Sequence, residues 1–346
     1  MGPVLLVITT AIMAEPPRYK LKVLDTSPWR AVAKTSLADR RVVAGYLEPE
    51  NGLAYQGFLI RSHQTRFLSP LQNHEGSIVS AVNTGEVVVG HSVYFDDKIH
   101  WTATIWRPPL YQPELFPVWD NGDSKINAIN NAGESVGGAD IRLYHNRYEW
   151  HAFKWSGSEL VDLGTLGGQR SEAQDINDCG NVVGGADTNE GYRHAFWYRS
   201  GVEGLIDLGS FDNSYHYSLA TGLNDSDQVV GWSIAFDAAP HAFFWSEKVG
   251  LRDLPGSSAL LQSGANAINN QNQIVGWVRT GWANETRAVL WHHANLYYLT
   301  DRLINNDRNF VLLEASDIND RGQIVGRGQY GSETTRRLFF LSPVEE

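Results

Sequence analysis

Short apolar strings that end in glycine recur at a regular interval along the chain. The glycines that close them are Gly45, Gly90, Gly137, Gly184, Gly231, Gly276 and Gly326. They are separated by 45, 47, 47, 47, 45 and 50 residues. A period of this length, built from short apolar strings, is typical of repeat architectures. The repeat therefore governs the fold prediction, and residues that differ between repeats become the candidates for chemistry.

Each period contains four apolar strings separated by turn residues. In the third period they are SKINAIN, ESVGGA, HAFKW and ELVDLG, at residues 124–130, 134–139, 151–155 and 159–164. They are rich in Val, Ile, Phe and Trp and bounded by Gly, Asn, Asp and Ser, as β-strands are. No segment shows sustained helical spacing of apolar residues. The pattern predicts an all-β, seven-bladed β-propeller with four antiparallel strands per blade over residues 20–346, preceded by a tail of residues 1–19.

The link between the first two strings predicts a tight hairpin. Seven residues before the repeat glycine stands an Asn in six repeats, with Ala38 in the first. The third residue after this position is Gly, Asp or Asn in five repeats, and these residue types accept a left-handed backbone. Calcium loops are the alternative, but calcium needs several closely spaced oxygen ligands and most of these turns offer one. We predict structural turns and no metal site.

The two chain ends resemble parts of a single blade. Residues 21–26, LKVLDT, match the fourth string of a repeat, and residues 337–342, RLFFLS, match the third. We therefore predict that the N-terminal strand completes the last blade and closes the ring, which removes an exposed sheet edge.

The repeat glycines lie inside predicted strands, where glycine marks a close approach by another part of the protein. At Gly184 and Gly231 we expect this approach to come from the adjacent blade.

Charge and cysteine content exclude several function classes. The 346-residue chain has a net charge of −11, whereas a generic nucleic-acid surface needs clustered basic residues. Its single cysteine, Cys179, allows no intramolecular disulfide and no thiolate metal cluster. No phosphate-binding glycine loop with lysine, no G-x-S-x-G and no H-E-x-x-H string occurs. We predict no cofactor, and a monomer.

The N-terminus contains an apolar run at residues 4–13, followed by the small residue Ala14. The run is too short to span a bilayer, and no other segment approaches the required length. It fits the core of a secretion signal, although no Lys or Arg precedes it, and a disordered tail is the alternative. We predict a secreted or periplasmic protein without a membrane span.

Three third strings, HAFKW, HAFWY and HAFFW, begin at His151, His194 and His241. Each is followed by a DLG-like string and then by an IN-x-x-G-x-V-V-G-like string. These motifs resemble the HAF repeat, a bacterial repeat family described as extracellular, and the strand order is similar to that of Kelch repeats. The resemblance covers nearly the whole chain after the tail and weakens in the first two repeats. It supports a secreted location and implies no defined activity.

Long connections that differ between blades are the expected binding surface. In a propeller, the second-to-third and fourth-to-first connections share one face, and binding residues collect on such loops. Exposed aromatic side chains there suit a carbohydrate or protein ligand. An aromatic ring can stack on the C–H groups of the ligand while neighbouring polar side chains form hydrogen bonds with it. The aromatic candidates are Tyr94, His100, Trp101, Tyr144 and Trp282. Packing over strand ends is the alternative role.

The mouth of the central channel is a second candidate surface. If the first string of each repeat is innermost, its entry carries charged and polar residues that converge there: Arg30, Lys125, Arg170, Glu172, His216 and Glu314. They could hold a polar ligand or form a solvated ring of ion pairs.

An enzyme is the alternative to a binding module. A polysaccharide lyase would need a proton donor and acceptor close to the substrate, for which the loop residues His145, Tyr148, Tyr215 and His216 are the candidates. The HAF histidines repeat at one position in successive blades, so we predict a structural role for them. Because no defined catalytic constellation is visible, the sequence favours binding.

Overall fold

The computed structural model describes residues 15–24, 30–38, 41–48, 55–62, 64–119, 122–142, 148–211, 215–256, 262–280, 285–306, 309–333 and 335–344, with residues 30–34 through their backbone alone. The apolar run at residues 4–13 lies outside these residues. Within them, 28 strands form seven antiparallel sheets of four strands each. The predicted seven-bladed β-propeller is confirmed.

The strands follow the chain from blade to blade. Blade 1 contains β2 (Arg30–Ala38), β3 (Val42–Glu48), β4 (Gln56–Arg61) and β5 (Gln64–Leu68). Blade 2 contains β6 (Gly76–Val82), β7 (Val88–Phe95), β8 (Ile99–Trp106) and β9 (Pro113–Leu115). Blade 3 contains β10 (Ser124–Ile129), β11 (Ser135–Arg142), β12 (Tyr148–Trp155) and β13 (Leu160–Gly164). Blade 4 contains β14 (Gly167–Ile176), β15 (Val182–Thr188), β16 (Arg193–Tyr198) and β17 (Ile206–Asp207).

The remaining blades repeat this order. Blade 5 contains β18 (Ser218–Leu223), β19 (Val229–Ile234), β20 (Pro240–Ser246) and β21 (Gly250–Asp253). Blade 6 contains β22 (Gln262–Ile268), β23 (Ile274–Thr280), β24 (Glu285–His292) and β25 (Asn295–Tyr298), followed by a 3-10 turn (Leu299–Arg302). Blade 7 contains β26 (Phe310–Ile318), β27 (Ile324–Tyr330), β28 (Arg337–Pro343) and β1 (Tyr19–Leu24).

The N-terminal strand closes the ring as the sequence predicted. β1 pairs antiparallel with β28, from Tyr19 opposite Pro343 to Leu24 opposite Leu338. The Tyr19 side chain is fully buried, and Asn305 bonds both the N–H and the carbonyl of Leu21. The outermost strand of blade 7 therefore comes from the opposite end of the chain.

The first strand of each blade is innermost, since these strands contact one another around the ring. The apolar core lies between neighbouring blades, and each buried cluster draws on two of them. Phe153, from the HAF string of blade 3, is fully buried with Ile105 and Phe116 of blade 2. Burying one such side chain contributes about 1.5–3 kcal/mol. No helix in the described residues is long and apolar enough to cross a membrane.

The tight hairpins join the first and second strands and define one face of the ring, the hairpin face. In blade 3 the Asn130 carbonyl accepts a bond from the Gly133 N–H at 3.1 Å, and Gly133 has a φ of +86°. Residues at the same place in the other repeats share a positive φ: Arg41, Glu86, Gly180, Asp227, Asn272 and Gly322. The Asn130 side-chain amide donates to the carbonyl of Asn177 in the next blade at 3.0 Å. The repeated Asn thus shapes its own turn and also links adjacent blades.

The repeat glycines are required by a contact within their own blade. Each first strand of blades 2 to 7 carries a β-bulge just beyond the residue opposite the glycine. A Cβ atom on Gly184 would overlap the carbonyl oxygen of Glu172, which lies on β14 of the same sheet. The expectation that the adjacent blade makes the close approach was therefore wrong. The close approach comes instead from a carbonyl of the inner strand, just before its bulge.

A buried serine on an inner strand links that strand to the preceding blade. The Ser171 hydroxyl accepts a bond from the Ala152 N–H at 2.8 Å and donates to the Gly164 carbonyl at 2.5 Å. Ala152 belongs to the HAF string and Gly164 to the DLG string. Ser218 makes the same pair of bonds to Ala195 and Gly209. The two motifs thus hold the serine of the following repeat.

The HAF histidines pair with the aspartates of the DLG-like strings. His151 Nδ1 lies 3.0 Å from both carboxylate oxygens of Asp162, and His194 Nδ1 lies 2.9 Å from those of Asp207. His241 Nδ1 lies 3.6 Å from Asp253. Each pair joins the third and fourth strands of a single blade, which fits the predicted structural role.

The His151–Asp162 pair makes stability depend on pH. The hydrogen bond to Asp162 raises the pKa of His151 above its ordinary value of 6.5, and Glu149 adds to this while burial opposes it. The pair therefore stabilises the fold fully below pH 6.5 and loses this contribution as pH rises through the raised pKa. We expect Asp162→Asn to lower the Tm by a few degrees at pH 5.5 and to change it little at pH 9. Thermal unfolding at both pH values tests this, with the exposed Glu203→Gln as control; an equal loss at both would contradict it.

Candidate ligand-binding site

The residue after the repeat glycine distinguishes blades 3 and 4 from the others. In the other five blades it is bulky: Tyr46, His91, Trp232, Trp277 and Arg327. In blades 3 and 4 it is a second glycine, Gly138 or Gly185. A Cβ atom on Gly138 would overlap the Trp150 indole, and one on Gly185 would lie 2.9 Å from Arg193 Nε. These two glycines leave room for Trp150 and Arg193 to lie across the sheets.

A cavity of about 1080 Å³ opens at this place, over blades 2 to 4. It lies on the loop face, the face formed by the long connections and opposite the hairpin face. Its volume is slightly above the range for small-molecule sites, about 300–1,000 Å³. We call it the blade 2–4 cavity. Its walls are Tyr94, Lys98, His100, Trp101, Gly122, Asp123, Lys125, Asp140, Arg142, Tyr148, Glu149, Trp150, Gln169, Arg170, Glu172 and Arg193.

A lysine lies between two tryptophans at the inner end of the cavity. Lys125 Nζ lies 3.7 Å from the ring centre of Trp101 and 5.8 Å from that of Trp150. Such cation–π contacts hold an ammonium group against the indole faces. Burial lowers the pKa of Lys125, although the charges of Glu172 and Asp123 oppose the shift. Lys125 is on β10, so the innermost strand of blade 3 supplies this charge.

One carboxylate orients the blade 2 wall. Asp123 Oδ1 accepts a bond from the Trp101 backbone N–H at 3.1 Å and lies 2.9 Å from His100 Nδ1. The His100 ring stacks on Tyr94 with a centroid separation of 4.6 Å and an angle of 8° between the ring planes. The start of the next blade therefore holds the His100 ring and the backbone of Trp101.

The cavity wall carries both acidic and basic groups. The basic ones are Lys98, Lys125, Arg142, Arg170 and Arg193, and the acidic ones are Asp123, Asp140, Glu149 and Glu172. Five positive and four negative charges leave this region slightly positive, although the whole chain carries −11. Burial also raises the pKa of Asp140. The surface therefore offers both donors and acceptors to a polar ligand.

The structure brings half of the sequence-predicted site residues together. The blade 2–4 cavity contains Tyr94, His100, Trp101, Lys125, Tyr148, Arg170 and Glu172. It does not contain Tyr215 or His216; the His216 ring packs 4.1 Å from Tyr192, centre to centre. Glu314 lines a separate cavity over blades 6 and 7. Tyr144, His145 and Trp282, with the side chain of Arg30, lie outside the described residues.

Sequence reasoning missed Trp150, Asp140 and Arg193. Trp150 and Asp140 are opposite each other at the ends of β12 and β11, so their meeting depends on strand register. The double glycines at residues 137–138 and 184–185 were the available signal, because only these repeats replace a bulky side chain by glycine.

One group of side chains could approach a metal ion. Among the described residues, Asp96, Asp97 and His100 place one ligand atom each within 4.8 Å of one another. The two aspartates are exposed in the connection between β7 and β8, on the loop face. His100 Nε2 already lies 3.2 Å from Asp96. Exposed carboxylates commonly approach one another in this way without a metal ion. The absence of a metal site stays a prediction.

Comparison with known proteins identifies the architecture. No protein-family model and no curated protein matches the chain. The β-propeller domain of the Trilobed protease from Pyrococcus furiosus, which has an open velcro topology, is similar with a TM-score of 0.59 and 10% identity over 92% of this chain and 95% of that one. The chain is a β-propeller. Its last blade is completed by the N-terminal strand.

Two further propellers are similar at the level of the fold. The extracellular domain of a one component system from B. thetaiotaomicron matches with a TM-score of 0.55 and 10% identity, over 95% of this chain and 40% of that one. YCF48 bound to D1 peptide matches with a TM-score of 0.50 and 12% identity, over 96% and 97% of the two chains. At these identities the likeness concerns the fold alone.

Proposed function

We propose that the protein is a recognition module that binds a carbohydrate in the blade 2–4 cavity. The observation that carries this proposal is the placement of Lys125 between Trp101 and Trp150, with carboxylates beside them. An indole face stacks on the C–H surface of a sugar ring. The surrounding charged groups can then bond the sugar hydroxyls. Asp123 holds the backbone of Trp101, and Lys125 lies against its indole, so less entropy is lost when a ligand binds there.

A peptide or protein ligand is the second candidate. The YCF48 propeller carries a bound D1 peptide, and it is similar along nearly the whole of this chain. The mixed charges of the cavity would also suit a peptide with charged side chains of both signs.

A polysaccharide lyase is the enzyme alternative. Of the four predicted proton-transfer residues, Tyr148 lines the cavity. Two other lining groups have pKa values moved towards neutrality, Lys125 downwards and Asp140 upwards. Such groups serve as proton acceptors and donors in catalysis. A lyase would release unsaturated products that absorb ultraviolet light, whereas a binding module would not.

Membership of the HAF-repeat family and secretion are parts of the same proposal. The HAF strings begin at His151, His194 and His241, and one similar propeller is an extracellular domain. A carbohydrate ligand fits an extracellular location.

Two tyrosines of nearly equal exposure give a matched test. Tyr148 lines the cavity and is 53% exposed, while Tyr215 is 52% exposed and lies outside the lining. We expect Tyr148→Ala and Trp101→Ala each to weaken binding about tenfold or more, because stacking contacts are lost. Tyr215→Ala should leave affinity unchanged. Calorimetric titration with dextran, arabinoxylan, alginate and polygalacturonate measures the affinities, with ultraviolet absorbance recorded in parallel.

The results separate the candidates. Binding that Tyr148→Ala weakens and Tyr215→Ala does not, without a rise in absorbance, supports the module. A rise in absorbance that depends on Lys125 or Asp140 supports the lyase. Equal losses in the two tyrosine variants, or no binding of any polysaccharide, would overturn the assignment of carbohydrate binding to this cavity.

A further inference from the structure

A second cavity lies on the loop face over blades 6 and 7. Its volume is about 440 Å³, and it shares no lining residue with the blade 2–4 cavity. We call it the blade 6–7 cavity. Strands β24, β26 and β27 and the segment before β28 form its walls. Three arginines line it, Arg287, Arg327 and Arg336, together with two glutamates, Glu285 and Glu314.

Two of these arginines are paired with the two glutamates. Arg327 Nη2 lies 2.6 Å from Glu314 Oε2, and both side chains are largely buried. The other Glu314 oxygen, Oε1, accepts a bond from Asn266 Nδ2 at 3.1 Å. At the rim, Arg287 Nη2 lies 2.7 Å from Glu285. Each carboxylate in the cavity is therefore already engaged by one guanidinium.

Arg336 is the unmatched charge. Within the described part of the chain it has no carboxylate at ion-pair distance, and three guanidiniums face two carboxylates. The Arg336 residue is exposed at the cavity. Partial desolvation and the nearby positive charge of Arg327 lower its pKa, and Glu314 only partly offsets this. The lining of this cavity therefore carries an excess of positive charge, whereas the whole chain has a net charge of −11.

We propose that the blade 6–7 cavity binds an oxyanion group, a carboxylate, sulfate or phosphate, through Arg336 and Arg327. A planar guanidinium presents parallel N–H donors that match two oxygens of such a group. The anion would neutralise the unmatched positive charge. It would also reduce the repulsion between the two guanidinium groups. The hydroxyls of Thr286 and Ser332 line the same recess and can donate further bonds. This site is independent of the proposed carbohydrate site and could accept an acidic substituent or a free anion.

Calorimetric titration at constant ionic strength tests the proposal with three probes, sodium sulfate, sodium phosphate and sodium galacturonate. We expect saturable binding of at least one probe, weakened about tenfold or more by Arg336→Gln, since a charge-assisted bond is lost. Arg336→Lys should recover part of the affinity, because lysine keeps the positive charge but lacks the parallel N–H donors of a guanidinium. Arg321→Gln is the matched control, as Arg321 is exposed in the blade 7 turn on the hairpin face.

The probes also distinguish the source of the oxyanion. Preference for sulfate or phosphate supports a tetrahedral group, and preference for galacturonate supports the carboxylate of an acidic sugar. Trp101→Ala should leave anion binding intact, and Arg336→Gln should leave neutral polysaccharide binding intact, so failure of one site does not imply failure of the other. No saturable binding of any probe, or equal losses in Arg336→Gln and Arg321→Gln, would overturn the proposal.

Discussion

Deletion of residues 1–27 is expected to lower the Tm by about 10 °C or more, or to cause aggregation. The deletion removes β1, and with it the fully buried Tyr19 and both bonds between Leu21 and Asn305. Losing Tyr19 and the apolar side chains beside it costs about 5 kcal/mol or more. The deletion also leaves β28 as an open edge, which can pair with another molecule. Calorimetry and size-exclusion chromatography with light scattering measure the two effects.

A shorter deletion gives the control for this prediction. Removing residues 1–14 leaves β1 intact, so both the Tm and the oligomeric state should stay close to those of the full chain. If the two deletions behave alike, ring closure by β1 does not stabilise the propeller.

Replacing Gly184 by alanine is expected to destabilise the protein by about 3 kcal/mol or more, a large effect for a single added methyl group. The new Cβ atom would overlap the Glu172 carbonyl and lie 2.8 Å from the Phe196 ring. The carbonyl belongs to the inner strand and cannot rotate away without breaking the β14–β15 ladder. Denaturant unfolding at equilibrium measures the change in the free energy of unfolding.

Gly85→Ala is the matched substitution for that experiment. Gly85 lies in the blade 2 turn without a positive φ, and its nearest neighbour would be Asn83 Oδ1, 3.3 Å from the new atom. We expect a cost below about 1 kcal/mol there. Comparable losses at Gly85 and Gly184 would contradict the argument from the bulge, and the same comparison can be repeated at Gly231, which faces the Leu219 carbonyl.

The architecture could be predicted because its signals are local and repeated. The Asn of each tight hairpin and the left-handed residue three positions later stand at fixed offsets, so the turn chemistry is visible without a structure. Ring closure followed from matching residues 21–26 and 337–342 to strands of complete blades. The close approach at Gly184 was assigned to the wrong partner, because a bulge in β14 leaves no signature in residue type.

The site could be predicted only in part because it depends on how three blades meet. Tyr94, Trp101 and Lys125 were found from their places in connections and at strand starts. Trp150 was missed, since its position across Gly138 results from the β11–β12 register. His216 was grouped with Tyr148 by loop order, yet its ring packs against Tyr192 outside the cavity. Loop order does not specify which way a side chain turns.

The pairing of β1 with β28 also determines how the protein can be attached to a surface. The Val344 N–H bonds the Arg18 carbonyl at 2.9 Å, so the two ends of the described chain lie side by side. Pro343 is beside the Gly322 turn, which puts both ends on the hairpin face. A tag or fusion partner joined near either end would project away from both cavities. Immobilised through such a tag, the protein would present its whole loop face to ligands in solution.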